Sequence, residues 1–199
     1  MRKKSHVSLA MFLVDYMDNQ EMYNHRKAFC LGSILPDCKP SFLTTKHEFG
    51  CTYDMVKRKI LELTVDCEIL NRNERVYWRR MGEVMHYIAD YFTFPHNTTY
   101  EGTLRDHCRY EKKLKEKLKY YICSGKAEQV PAEAVRFSDI NQLFYFVEHR
   151  HRMYLMKKRN VEDDVRYIVE LCSQVAIGMV QLLNQRIYLY AGVGQLKIA

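Results

Sequence analysis

Apolar residues along this chain recur mostly at the helical spacing. Val7, Ala10, Met11, Val14 and Met17 form one stripe, with Ser5 as the expected N-cap. Tyr53, Val56, Ile60, Leu63 and Cys67 form a second, and Val76, Met81, Val84, Met85, Ile88 and Ala89 a third. Leu104, Cys108, Leu114, Leu118 and Tyr121 predict a fourth helix, and Ile140, Leu143, Phe144 and Val147 a fifth. From Val161 to about Tyr190, the residues Val165, Ile168, Val169, Cys172, Val175, Met179, Val180 and Leu183 predict one long buried helix. No sustained alternation of apolar and polar residues is present, so no sheet is expected. Three stretches interrupt the pattern: Gly32 to Cys51 with Pro36 and Pro40, Thr93 to Gly102 with Pro95, and Ser124 to Ser138 with Gly125 and Pro131. These read as loops. The expectation is an all-α fold of six or seven helices, one domain over residues 1–199.

Composition narrows the class. The 199 residues are 47% hydrophobic, with 8 Gly and 4 Pro, which excludes collagen-like and low-complexity chains. No window offers the roughly 18 uncharged apolar residues of a membrane span. The basic start, MRKKSHVSLAMFLVDYM, is interrupted by Asp15 and Asp18 and has no signal-peptide cleavage pattern, so a cytoplasmic protein is expected. Seven cysteines without a C-x-x-C pair read as reduced thiols, with neither a disulfide framework nor a cysteine zinc site. Lys and Arg number 31 against 24 Asp and Glu, a net charge of +7. That charge leaves nucleic acid and an anionic membrane surface open as partners. The run from Glu111 to Lys119 reads most simply as a solvated helix face.

The informative chemistry lies in the placement of His, Asp and Glu. His86 and Asp90 are four apart, as are His107 and Glu111, so each pair shares a helix face. His96 follows Pro95 in the connection between them. Two helices and their link can thus direct three imidazoles and two carboxylates to one place. Such a set suits zinc better than magnesium, and paired ions could clamp both oxygens of a phosphoester displacement. His25, His149 and His151 sit among charged neighbours and read as surface histidines.

HYIADYFTFPH, His86 to His96, resembles the H-Y-x-x-D-x-x-x-P-x-H block of bacterial zinc-dependent phospholipases C, with the proline one residue closer to the last histidine. HCRYE, His107 to Glu111, is similar to that family's H-x-x-Y-E block. KSHVSLAMFLVDYM resembles its opening helix, and GSILPD with Asp37 and TKHEF with His47 stand where the family has its early Asp and next His. Single-strand-specific zinc nucleases share the fold and most ligand types.

The resemblance implies an all-helical fold around a cleft for two or three zinc ions, and a metal-bound hydroxide attacking phosphorus. By it, His47, His86, Asp90 and Asp37 hold one ion, and His96, His107 and Glu111 a second. His6 holds a third, with Asp90 bridging. Asp37 is also the candidate base. The family's mature N-terminal Trp, whose amine and carbonyl bind the third ion, has no counterpart here; the amine of Met1 is the expected substitute. The implied activity is zinc-dependent phosphodiester or phospholipid hydrolysis. A nuclease or small-molecule phosphoesterase on the same scaffold, and a non-catalytic metal-binding protein, stay open.

Overall fold

The computed structural model describes residues 1–38, 46–68, 72–129, 136–157 and 160–196, with side chains described as far as residue 191. Among the described residues there are eight α-helices and no strand: α1 Lys3–Tyr16, α2 Gln20–Asn24, α3 Arg26–Gly32, α4 Phe49–Leu63, α5 Glu74–Tyr91, α6 Leu104–Cys123, α7 Ile140–Met156 and α8 Val161–Leu196. The all-α expectation holds, with two short helices, α2 and α3, beyond the stripes visible in sequence. Residues 39–45 and 130–135, with Pro40 and Pro131, lie outside the described residues.

Helix starts follow capping chemistry. Asn73 accepts from the Val76 N–H at the head of α5, and Asp139 accepts from Asn141 and Gln142 at the head of α7. At α6, Thr103 and Asp106 form a reciprocal capping box. The expected cap Ser5 is not one: α1 begins at Lys3 and Ser5 is buried within it. The buried face of α1 carries Leu9, Phe12 and Leu13 beside Ala10 and Val14, whereas Met11 is 41% exposed.

The central element is α5, which packs against α3, α4, α8 and α1. It buries Trp78, Met81, Val84, Met85, Ile88 and Ala89 together with His86 and Asp90. Burying each large apolar side chain contributes roughly 1.5–3 kcal/mol, and this holds two polar ligand candidates inside an apolar helix. Its contact with α3 is unusually close. A side chain at Gly82 would fall on the Phe29 carbonyl oxygen and the Ser33 nitrogen, and one at Gly32 on the Arg79 carbonyl. The helices therefore meet backbone to backbone, and Ser33 is carried against the turn of α5 that bears His86.

Helix α8 packs on α5, α6 and α7. Val161–Ala191 is long and apolar enough to cross a membrane by length and composition, yet 67% of its apolar window is buried in the protein. Its apolar face serves the core. Two exposed residues correct the sequence stripes: Leu104 is 79% exposed and Cys108 is exposed, because the first turns of α6 border a cleft rather than the interior.

Candidate metal centre

All eight side chains singled out in the sequence come together with the Met1 amine: Asp37, His47, His96, His107, Glu111 and Met1 line one cleft, and His6, His86 and Asp90 lie buried against them. His86 and Asp90 come from α5, His107 and Glu111 from α6, and His6 from α1. His96 stands on the 3-10 turn Phe94–His96, Asp37 on the 3-10 turn Pro36–Cys38, and His47 just before α4. The cleft has a volume of about 690 Å³.

Three groups of donor atoms lie close enough to share an ion: His47, His86 and Asp90; His96, His107 and Glu111; and His6, Asp37 and His86. In the first, His86 Nε2 is 3.0 Å from His47 Nδ1, and Asp90 Oδ2 is 3.3 Å from the former and 3.2 Å from the latter. In the second, Glu111 Oε1 is 3.3 Å from His96 Nε2 and 3.2 Å from His107 Nε2. Ligands about 2.0–2.1 Å from a tetrahedral ion stand about 3.3–3.4 Å from one another. These five donor separations match the edge lengths of zinc polyhedra, in the nitrogen and carboxylate chemistry that zinc takes.

The third group is looser. His6 Nε2 is 3.3 Å from Asp90 Oδ1, and its ring stacks on His86 at 3.9 Å. Although buried, His6 Nε2 has no hydrogen-bond partner among the described residues. A buried nitrogen left without a partner costs free energy unless a ligand takes it. Asp37 Oδ1 is 3.6 Å from His86 Nε2 and 3.8 Å from His47 Nδ1. The Met1 amine lies 2.5 Å from Asp90 Oδ1, 3.0 Å from His96 Nε2 and 3.3 Å from Glu111 Oε1, between the first and second groups. The residues present fit zinc.

Electrostatics set the protonation of the metal-free cluster. Burial, with the neighbouring His86 charge, lowers the His6 pKa to about 3, so this imidazole is neutral at neutral pH. Burial lowers His96 too. For Asp90, burial acts upward, but His96, the Met1 amine, His86 and His6 outweigh it and hold the carboxylate well below its usual range. Glu111 is lowered likewise, against burial, by hydrogen bonds from His107 and His96 and by the amine. Asp37 is shifted the other way, raised by burial. The Met1 amine is raised despite burial, by Asp90 and Glu111.

Surrounding groups orient the donors. His86 Nδ1 lies 2.8 Å from the Ser33 carbonyl oxygen, so it carries the donated proton and Nε2 is turned toward His47 and Asp90. Sequence reasoning missed two supporting residues. His151, read as surface, is buried: it stacks on Phe49 at 4.1 Å, and its Nε2 donates to Asn97 Oδ1 at 3.0 Å. The Asn97 amide in turn donates to the carbonyls of Tyr91 and Thr93, closing the turn after α5. Asp164 resembles an ordinary first-turn acid of α8 in sequence, yet it is fully buried. His149 is exposed, as expected.

A family model for zinc-dependent phospholipase C matches residues 5–176. The chain belongs to the zinc-dependent phospholipase C family. No curated protein and no solved structure matches it. Membership points to zinc as the metal and to phosphodiester hydrolysis on a phospholipid or related substrate, and the groups that could hold such ions are the ones described above.

Proposed function

We propose that the chain is a phospholipase C-type hydrolase that cleaves the phosphoester on the diacylglycerol side of a phospholipid. The supporting observation is the set of five donor–donor distances of 3.0–3.3 Å, three among His47, His86 and Asp90 and two from Glu111 to His96 and His107. The first group, with Asp37, would hold one zinc and the second another. His6, Asp90 and the Met1 amine would hold a third.

Zinc, when bound, supplies Lewis-acid activation of water and neutralises charge on the phosphate. The protein's own contributions are distinct. His6 and His96 offer neutral nitrogens, because burial disfavours their protonation. Asp90 and Glu111 stay ionised and offer oxygens. Asp37, whose pKa burial raises, is suited to take a proton from the attacking water at its carboxylate. At the mouth, Lys46 and Glu48 pair at 3.4 Å, and the exposed Leu104 with Tyr100 gives an apolar border suited to a glyceride. The outward lysines of α6, including Lys112, Lys113 and Lys119, would draw the protein to an anionic bilayer.

A panel of phosphodiesters, with and without chelator, tests the reading. Chelator-sensitive release of diacylglycerol is the expected result. Turnover of single-stranded nucleic acid or of a soluble monoester instead would select another phosphoesterase, which the +7 charge also suits. Zinc binding without turnover of any substrate would make it a metal-binding protein.

A further inference from the structure

Asp164 joins the segments that carry the donors of the second group. It sits in the first turn of α8. Its Oδ2 accepts from the backbone N–H of Phe94 at 2.7 Å and from the Tyr110 hydroxyl at 2.8 Å. Its Oδ1 accepts from the Tyr154 hydroxyl at 2.8 Å. Phe94 opens the 3-10 turn that ends in His96, and Tyr110 directly precedes Glu111. One carboxylate oxygen therefore joins the turn bearing His96 to the helix bearing His107 and Glu111. The N–H that Asp164 receives belongs to the first residue of its turn, where helical geometry leaves donors without an internal partner. Carboxylate acceptors make the stronger hydrogen bonds.

We propose that Asp164 is a positioning residue that fixes His96 relative to His107 and Glu111, and so sets the affinity of that group for its ion. This rests on the zinc reading given under Proposed function. Mutation of groups that orient metal ligands typically costs about 10–100-fold in affinity. A purely structural carboxylate, by contrast, would lower stability and weaken every site together.

The experiment uses the full chain and equilibrium binding in chelator-buffered zinc, with circular dichroism confirming the fold. Asp164→Asn and Tyr110→Phe should each weaken one zinc by about 10–100-fold and leave the others unchanged. In the cobalt(II)-loaded protein, the visible absorption of one site alone should shift. Tyr154→Phe removes a hydrogen bond to the same carboxylate from a helix bearing no donor, and should lower the melting temperature without changing any zinc affinity. Uniform weakening of all ions, no weakening of any, or equal weakening by Tyr154→Phe would overturn the proposal. Should Asp164→Asn not fold, Tyr110→Phe, which loses a single hydroxyl, decides alone. A wild-type protein that binds no zinc would instead show that the underlying reading had failed, and the positioning role with it.

Discussion

At the scale of single residues, substitution distinguishes the groups proposed to hold an ion from groups that only stand nearby. His86→Ala or Asp90→Ala should reduce hydrolysis to background, since each removes a donor placed 3.0–3.3 Å from its neighbours. His149→Ala should leave turnover unchanged, because that ring is exposed. Comparable damage from His149→Ala in the same assay would dismantle the assignment. His151→Ala belongs to a third category: it should cost stability, by leaving Asn97 Oδ1 unpaired and Phe49 unstacked. The i,i+4 pairs were legible because their spacing alone puts them on one face. His151 was not, because its charged sequence neighbours point to other faces of α7. Asp164 was not, because an acid in a first turn is ordinarily a solvated one.

Protonation gives a second prediction at this scale. Asp90 and Glu111 have folded pKa values below their unfolded ones, so the stability they contribute is present above about pH 4–4.5 and is lost as pH falls. His6 and His96 are lowered as well. Between their unfolded value near 6.5 and their folded ones, the unfolded chain binds more protons, so there too stability is lost as pH falls. The Met1 amine is raised, so its contribution is complete below about pH 8 and is lost as pH rises through the folded value. The melting temperature of metal-stripped protein should therefore be highest between about pH 6.5 and 8. A melting temperature still rising from pH 6.5 down to pH 4 would contradict these directions.

Among the elements, α5 is the one whose neighbours tolerate least. Gly82→Ala puts a methyl group against the α3 backbone, which can yield only by moving the helix. A loss of about 1–3 kcal/mol or more is expected, or about 2–4 °C of melting temperature per kcal/mol for a chain of this size. Zinc affinity should fall as well, since Ser33 would leave His86. Stable protein with full zinc affinity would show that α3 is not what orients His86. The stripes of α4, α5 and α8 were legible because both packing and period pointed the same way. That of α6 was misread where a cleft replaces the core: Leu104 and Cys108 carry the helical spacing of a buried face and border the cleft instead.

For the whole molecule, two measurements test the metal content and the surface. Fully loaded protein should hold two or three zinc ions, and an extension placed before Met1 should lower the content by one and reduce turnover. Identical zinc content and rate in the extended protein would remove the amine from the ligand set. Each ion present at 100 times its Kd should add about 2.7 kcal/mol of stability that chelator removes. On vesicles, turnover should rise with anionic lipid and fall with salt, because exposed lysine attraction is screened over about 10 Å at 0.1 M. Salt-independent turnover would discount the α6 lysines, of which Lys117 is already paired with Glu162 at 2.8 Å.

The crossing of α3 and α5 at Gly32 and Gly82 also bears on how this sequence can drift. Two ordinary core side chains can trade volume, a larger one accepted when its neighbour shrinks. Here the neighbour of each glycine is main chain, the Arg79 carbonyl on one side and the Phe29 carbonyl on the other. Main chain has no smaller alternative to offer. Neither change can compensate for the other, so ordinary paired exchange is closed at these positions. Saturating both codons and selecting for zinc-loaded protein should return glycine at each, as strictly as it returns the histidines, although neither glycine offers a side-chain donor to an ion.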